Sequence, residues 1–253
     1  MNVKKHLFAL GLVAAMASPA FAADDILPPS DTGPFSITGN VALTSEYFFR
    51  GFSQSNDSPA VQGGLNLNYK LNDMFTATAG AWASNVDSGI ANGNIELDYV
   101  LGLSAAVTPE LTVGVGSTWY TYPGTSNDGS EPDFWEASLT GTYNFGLFSV
   151  TGLYAYSPDF NLNSGEAHYL NGKVVVPLGY VDLSGAVGKQ WIEENEAFGA
   201  KDYLDWKIAA GAKVWGIDLE LAYIDTDISE AFPGGGETQA ADGAVIFTVT
   251  KNF

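Results

Sequence analysis

Apolar and polar residues alternate with a period of two along almost the whole chain, and this pattern constrains the fold more than any other feature. In "ITGNVALTSEYF" the apolar residues Ile37, Val41 and Leu43 alternate with polar neighbours, and "VQGGLNLNYK" behaves in the same way. A period of two puts the two kinds of residue on opposite faces of a β-strand, and about 12 such segments follow one another to the C-terminus. The sequence therefore predicts an all-β fold.

The connections between these segments alternate in length. Short connections are predicted at 71–73, 108–110, 144–146, 177–179 and 215–216, and long, mostly acidic ones near 51–59, 85–94, 123–133, 157–166, 192–202 and 225–241. Tight periplasmic turns and long external loops are typical of an outer-membrane β-barrel. A soluble β-sandwich also has alternating strands, so alternation alone leaves both folds open.

Strand length and aromatic residues favour the barrel. Strands of about ten residues fit a tilted crossing of a bilayer. Aromatic residues gather near both strand ends, as they do at membrane interfaces. Those toward the long connections are Tyr47, Phe49, Trp82, Trp119, Tyr122, Trp135, Tyr156 and Trp191, and those toward the short ones are Tyr69, Phe75, Tyr143, Phe148, Tyr180 and Trp215. We expect an antiparallel transmembrane β-barrel of about 12 strands over residues 36–253.

The N-terminus has the pattern of an export signal. Lys4 and Lys5 precede the apolar stretch "LFALGLVAAMA", and Ala20 and Ala22 form a cleavage site of small residues. Residues 1–22 are therefore predicted to be a signal peptide, with Ala23 as the first residue of the mature chain. The acidic, proline-containing segment 23–35 is predicted to be a flexible periplasmic tail.

Charge and residue inventory exclude several function classes. The chain has 29 acidic and 10 basic residues, which excludes nucleic acid as a partner. It has no cysteine and only two histidines, His6 and His168, so a catalytic triad or a multi-histidine metal site would have to be built around His168. His168 with Ser164 or Ser184 is a weak candidate for a membrane-embedded lipid hydrolase. We predict no enzyme, no cofactor and no metal site, although weak divalent cation binding at the acidic loops stays open.

The polar phase of the strands predicts which charged residues face the lumen. The predicted pore-lining residues are Glu46, Arg50, Lys70, Glu96, Asp98, Glu136, Asp182, Asp205, Lys207, Lys213, Asp218 and Glu220. Lys173 falls in the same phase. Many other inward positions are glycine, namely Gly64, Gly102, Gly114, Gly116 and Gly188, and small side chains leave room for water.

The segment "YFFRGFSQS", residues 47–55, places an arginine against an aromatic run. If Tyr47 and Phe49 face lipid, Arg50 lies in the opposite phase and points to the lumen or the outer mouth. Glu46 is then its expected partner, and Gly51 ends the strand. The alternative is that Arg50 caps the strand or meets headgroup phosphates.

The last strand, "VIFTVTKNF", ends with an apolar face formed by Val245, Phe247, Val249 and Phe253. It resembles the terminal strand that the outer-membrane assembly machinery recognises. Lys251 departs from that signature, and we expect its long side chain to extend to the interface.

Three blocks of sequence resemble one known family. "TSEYFFRGFSQSNDSPAVQGGLNLNY" is similar to the N-terminal signature of the TorF-type porin family of proteobacteria, and "GAWASNVDSG", "NIELDYVLG" and "ADGAVIFTVTKNF" also fit. The resemblance implies an outer-membrane barrel that forms a pore, and it implies no particular substrate.

Together these observations predict a porin-like channel in the outer membrane of a Gram-negative cell, for passive diffusion of small hydrophilic solutes and with a preference for cations. Its expected partners are outer-membrane lipid and lipopolysaccharide, the assembly machinery and the solutes themselves. A closed barrel that serves as a structural or adhesive platform is the alternative, because a barrel of about 12 strands lies between filled and open sizes.

Overall fold

A computed structural model describes residues 33–87, 93–125, 132–228 and 238–253. Within these residues, 12 long strands form one closed antiparallel barrel, which confirms the predicted fold. The barrel strands are β1 (Phe35–Thr44), β4 (Ala60–Lys70), β5 (Phe75–Asn85), β6 (Ile95–Ala106), β7 (Leu111–Thr121), β8 (Phe134–Asn144), β9 (Ser149–Ser157), β10 (Ala167–Pro177), β11 (Asp182–Ile192), β12 (Tyr203–Val214), β13 (Ile217–Thr226) and β14 (Ala244–Asn252). The remaining strands, β2 (Phe48–Phe49) and β3 (Phe52–Ser53), pair only with each other.

Strand β1 closes the barrel by pairing on both sides. Thr44 lies opposite Ala60 of β4, and Leu43 lies opposite Val249 of β14. The backbone of Phe253 adds two hydrogen bonds with Gly39 beyond the end of β14. Closure pairs the backbone groups of neighbouring strands around the ring, as a β-structure in hydrocarbon requires.

The alternating residues fall on the two faces as predicted. Val41 and Leu43 are about half exposed on the outer surface, at 50% and 53%, whereas the alternate residues Ala42 and Thr44 are buried inside. Leu101, Val245 and Ile208 likewise point outward. A soluble β-sandwich would bury this apolar face between two sheets, so the exposed apolar belt is the surface of a barrel in lipid.

The connections have the predicted lengths. The shortest is Trp215-Gly216, where positive φ angles of 52° and 75° give the type I′ turn that suits a two-residue hairpin. Both ends of the described barrel, Phe35 and Phe253, lie at the short-turn end.

Short helical segments, α1 (Asn195–Phe198) and the 3₁₀ turns Asn161–Asn163 and Thr238–Ala241, lie in long connections. No helix among the described residues is long and apolar enough to cross a membrane. The predicted signal peptide and nearly all of the predicted tail lie outside the described residues.

The predicted aromatic girdle is right at the short-turn end and right in part at the long-loop end. At the short-turn end all six predicted residues are exposed on the outside, and at the long-loop end Trp119, Trp135 and Trp191 are exposed and Tyr156 is partly exposed. The prediction was wrong for four others at that end, because they point inward or lie in the segment that enters the barrel: Tyr47, Phe49, Trp82 and Tyr122.

The lysine near the end of the last strand reaches the adjoining turn. Lys251 points outward in β14, and its Nζ donates a hydrogen bond of 3.1 Å to the backbone carbonyl of Gly216 in the shortest turn. The side chain thus extends to the short-turn end of the barrel.

Candidate functional site

The chain leaves β1 at Thr44 and folds back into the barrel as a hairpin, which we call the inward hairpin (residues 47–55). Strands β2 and β3 pair Phe49 with Phe52, and only Arg50 and Gly51 lie between them. Their φ angles of 48° and 81° again give a type I′ turn. A Cβ atom at Gly51 would overlap the side chain of Thr226, so the turn itself packs closely against β12 and β13.

Arg50, at the tip of the inward hairpin, is held by several walls of the barrel. Its Nη2 donates to Glu136 Oε2 at 2.6 Å and its Nη1 donates to Gln190 Oε1 at 2.7 Å. The guanidinium lies 4.1 Å from the ring centroid of Tyr169, a cation–π geometry. The side chain is only 1% exposed. The tip is therefore anchored by an ion pair in a site shielded from solvent.

The Arg50 side chain thus lies inside the barrel, and the partner that the sequence assigned to it was wrong. Glu46 instead accepts hydrogen bonds from the hydroxyl of Ser53 and the backbone N–H of Asp57. The reason is the hairpin: because β1 ends before Glu46, Arg50 is carried across the lumen to β8. The alternative readings, a strand cap or a phosphate contact, are wrong for the same reason. Tyr47 and Phe49, expected to face lipid, are inside.

Aromatic residues pack the inward hairpin against the barrel. Phe49 makes edge contacts with Tyr120 on β7 and Phe134 on β8, at centroid distances of 5.6 and 6.3 Å. Phe52 contacts Tyr203 on β12, with 5.1 Å between ring centroids. The other contacts of the hairpin are Tyr47 with Trp82 on β5, and Phe48 with Ile224 on β13 and Ile246 on β14. The long-loop half of the lumen is therefore filled around the hairpin.

Two carboxylates are buried beside this core. Glu96 and Asp98 lie two residues apart on the inner face of β6 and are fully and almost fully buried. Tyr47 and Tyr122 lie against Glu96. Within the described residues, both oxygens of Glu96 and Oδ1 of Asp98 make no hydrogen bond of normal geometry. Burying such charges is costly, so the pair requires a proton or a cation in compensation.

A polar cavity of about 130 Å³ lies on the short-turn side of the inward hairpin. Charged residues from three strands line it. Lys207 on β12 donates to Glu220 on β13 at 2.6 Å, and Tyr169 on β10 donates to Asp205 on β12 at 3.1 Å. Lys173 on β10 also lines it, as do Glu46 and Arg50 of the segment after β1. Part of the lumen is therefore open where the hairpin ends.

The remaining predicted pore-lining residues lie toward the short-turn end. Asp218 is fully buried, accepts a hydrogen bond of 2.6 Å from Asn252, and lies 3.8 Å from Lys213. Asp182 is half-buried at the start of β11. Lys70 is at the rim, with its side chain 58% exposed and bonded to Asp73 in the adjoining turn at 2.9 Å. The hydrogen bond from Lys70 lowers the pKa of the Asp73 carboxyl.

Sequence reasoning missed the residues that meet Arg50, chiefly Gln190 and Tyr169. Their phase in β11 and β10 is inward, so alternation could have placed them in the lumen. It could not have paired them with Arg50, because that contact depends on a loop. The one available signal was the dipeptide Arg50-Gly51 between Phe49 and Phe52, which fits a two-residue hairpin less obviously than the usual Asn-Gly.

The candidate hydrolase pairing of His168 with Ser184 is not formed. His168 faces outward and its Nδ1 lies 2.7 Å from the Tyr154 hydroxyl, whereas Ser184 faces the cavity on the other side of the wall. Ser164, the other candidate serine, is buried in the connection between β9 and β10. Across the described ranges, no group of three or more acidic or histidine side chains is arranged to hold a metal ion.

A family model described as "Bacterial protein of unknown function (Gcw_chp)" matches residues 29–253, which span the whole barrel. The chain belongs to this family. No curated protein matches it significantly. Its fold is similar to that of a FadL homologue from Pseudomonas aeruginosa, with a TM-score of 0.55 and 11% identity over 87% of this chain and 75% of that protein. The NanC porin is also similar, with a TM-score of 0.50 and 10% identity over 85% of this chain and 97% of that protein. At these identities the likeness shows the fold alone, a closed antiparallel β-barrel.

Proposed function

We propose that this member of the Gcw_chp family is an outer-membrane channel through which small hydrophilic solutes diffuse, with a preference for cations. The observation that carries the proposal is that the barrel reverses the usual distribution of a soluble protein. Its outer surface is apolar, whereas its inner wall carries charged side chains around a cavity. A wall of that kind is costly in a structure that only has to span lipid. The TorF-type sequence signature and the porin-like fold agree with it.

The size of the solute follows from the inward hairpin. Its tip crosses the lumen from β1 to Glu136 on β8, and its other contacts reach β5, β7 and β10 to β14. A solute that crosses the barrel must therefore pass the hairpin and then occupy the cavity of about 130 Å³ on its short-turn side. Only solutes with a few non-hydrogen atoms fit.

The cation preference follows from charge. Three interior acids, Glu136, Glu220 and Asp218, form ion pairs with Arg50, Lys207 and Lys213. Three further buried acids, Glu96, Asp98 and Asp205, form no ion pair among the described residues, against one such base, Lys173. A narrow charged passage selects ions through the field of its wall. The acidic long connections add cations at the mouth, an effect that weakens as the screening length falls from about 10 Å at 0.1 M salt to about 3 Å at 1 M.

Planar-bilayer recording tests the proposal. We expect conductance steps in potassium chloride and a reversal potential of cationic sign under a salt gradient. The triple change Glu96→Gln, Asp98→Asn, Glu220→Gln removes three interior acids and should move the reversal potential toward anions. The control change Glu110→Gln, at an exposed acid in the short turn between β6 and β7, should leave it in place. An anion-selective wild type would contradict the charge argument.

A closed barrel that acts as a structural or adhesive platform is the second candidate. The filled long-loop half of the lumen favours it, because the inward hairpin and its aromatic partners form a small hydrophobic core there. Absence of conductance both in the wild type and after removal of the hairpin would support the platform and reject the channel.

Export and assembly belong to the same proposal. The protein would be made with the signal peptide 1–22, cleaved before Ala23, and inserted among lipid and lipopolysaccharide by the outer-membrane assembly machinery. The outward residues Val245 and Phe247 and the paired backbone of Phe253 fit a terminal recognition strand. Intact-mass measurement of protein extracted from the outer membrane checks the cleavage site.

A further inference from the structure

The cavity beside the inward hairpin has a floor of small residues. On β11 its lining includes Ser184 and Ala186, and Gly188 follows in the same inward phase. Ala186 lies opposite Lys173 of β10 and also opposite Lys207 of β12. The small residues of β11 therefore form a shallow groove, which we call the trough, with one lysine on each side. The backbones of the two lysines are two strand spacings, or about 10 Å, apart.

The short-turn end of this trough carries a net positive charge. Lys207 and Glu220 already pair with each other at 2.6 Å. Lys173 lies near both, and among the described residues it forms no ion pair of its own. One ammonium group is therefore left to face the cavity.

The long-loop end of the trough carries a net negative charge. Arg50 is paired with Glu136, and Asp205 lies one step of the pleat closer to the long loops than Lys207. Asp205 is 9% exposed; its Oδ1 accepts from Tyr169, and its Oδ2 has no hydrogen-bond partner in the described part of the chain. A buried carboxylate oxygen without a partner is costly unless a ligand supplies the donor.

We propose that this cavity is a binding site for small zwitterions that carry an ammonium and a carboxylate on neighbouring atoms, as α-amino acids do. The carboxylate pairs with Lys173, and the ammonium pairs with the carboxyl group of Asp205, which lines the same cavity. The bound ligand has its ammonium directed toward the long loops and its carboxylate toward the short turns. The site rests on the proposed function and deepens it, because the solute reaches the cavity through the lumen.

The size of the cavity supports the same ligand class. Its volume of about 130 Å³ holds several water molecules or one solute with a few non-hydrogen atoms. A small anion would satisfy Lys173 and leave Asp205 repelled, and a small cation would do the reverse. Only a molecule with both charges matches both ends of the trough.

Three probes test the proposal by saturation-transfer NMR on the full barrel in lipid nanodiscs. L-alanine has both charges, propionate lacks the ammonium, and ethylamine lacks the carboxylate. We expect L-alanine to bind at least about tenfold more tightly than either fragment, the effect of one charge-assisted hydrogen bond. Equal affinity for all three would overturn the proposal.

Two variants assign the ends of the site. Lys173→Gln should weaken L-alanine about tenfold and leave ethylamine unchanged, whereas Asp205→Asn should weaken L-alanine similarly and leave propionate unchanged. The matched controls are Lys213→Gln and Asp182→Asn, which change the same residue types outside the cavity. Heat-modifiable gel mobility confirms that each variant is folded. Equal losses in the variants and the controls would contradict the assignment.

Conductance of the same preparations separates this site from the channel. Binding of L-alanine to a barrel that does not conduct would reject the channel and keep the site. Conductance without any preference for L-alanine over its fragments would reject the site and keep the channel.

Discussion

The two halves of the lumen are built differently, although the strands that line them are the same. In the long-loop half, large rings such as Phe49, Tyr120 and Phe134 pack together as in the core of a soluble protein. In the adjoining part toward the short turns, glycine, alanine and serine on β11 leave a cavity with charged walls. The difference lies in the inward hairpin, which enters only the long-loop half.

This contrast separates two tasks. A barrel wall supplies closure by itself, so neither half needs a filled interior to remain a barrel. The aromatic core therefore stabilises the hairpin more than the wall. In the proposed channel, the hairpin would set the width of the passage, and the cavity beyond it would be available to a solute.

Replacing the inward hairpin has the largest expected effect on this contrast. Thr44 already lies opposite Ala60, so residues 46–58 can be replaced by Asn-Gly as a tight turn between β1 and β4. We expect single-channel conductance to rise several-fold while heat-modifiable mobility still reports a folded barrel. Conductance equal to that of the wild type would mean that the hairpin is not the constriction.

Breaking the anchor of the hairpin should have the next largest effect. Arg50→Met leaves the Glu136 carboxylate buried without its cation, which costs up to about 3–5 kcal/mol. We expect the hairpin to leave its position, with noisier and larger channel currents and a lower temperature of conversion on heated gels.

The double variant Arg50→Met, Glu136→Gln is the control for that experiment. It removes both charges, so most of the lost stability should return. If the single and the double variant behave alike, the ion pair is not what holds the hairpin.

The smallest effects should come from adding one methyl group to a glycine on the inner face of the barrel wall and to one on its outer face. A Cβ at Gly188 would overlap the Tyr169 hydroxyl and Oδ2 of Asp205, whereas a Cβ at Gly152 meets nothing within 4 Å. We expect Gly188→Ala to cost about 1–3 kcal/mol by overpacking. Gly152→Ala should stay within about 0.5 kcal/mol. Thermal conversion of the folded band measures both, and equal shifts would show that Gly188 has room to spare.

Much of the candidate site could be predicted from residue phase. Glu96, Asp98, Asp205 and Glu220 are on the inner face because their strands alternate strictly, and alternation needs only local sequence. Residue phase did not predict how deeply the first two are buried, because that depth depends on a hairpin contributed by the connection after β1.

The aromatic residues illustrate the same limit. Trp119 and Trp135 were placed correctly, since each occupies an outward position in a regular strand. Tyr47 and Phe49 were misplaced because the outward phase of β1 was extended past its last residue, Thr44. An aromatic ring is equally suited to a lipid interface and to a packed interior, so residue type could not distinguish them.

By itself, the sequence determined the number of strands, the faces of each strand and the alternation of short and long connections, because these follow from the geometry of a strand and from turn-forming residues. Only the tertiary structure decided that the segment after β1 enters the lumen, that Arg50 pairs with Glu136 rather than Glu46, and that Lys173 and Asp205 face one cavity. Those contacts join residues from 86 to 140 positions apart in the case of Arg50. They form because a buried guanidinium takes the carboxylate that barrel closure brings within reach, and no local pattern encodes that meeting.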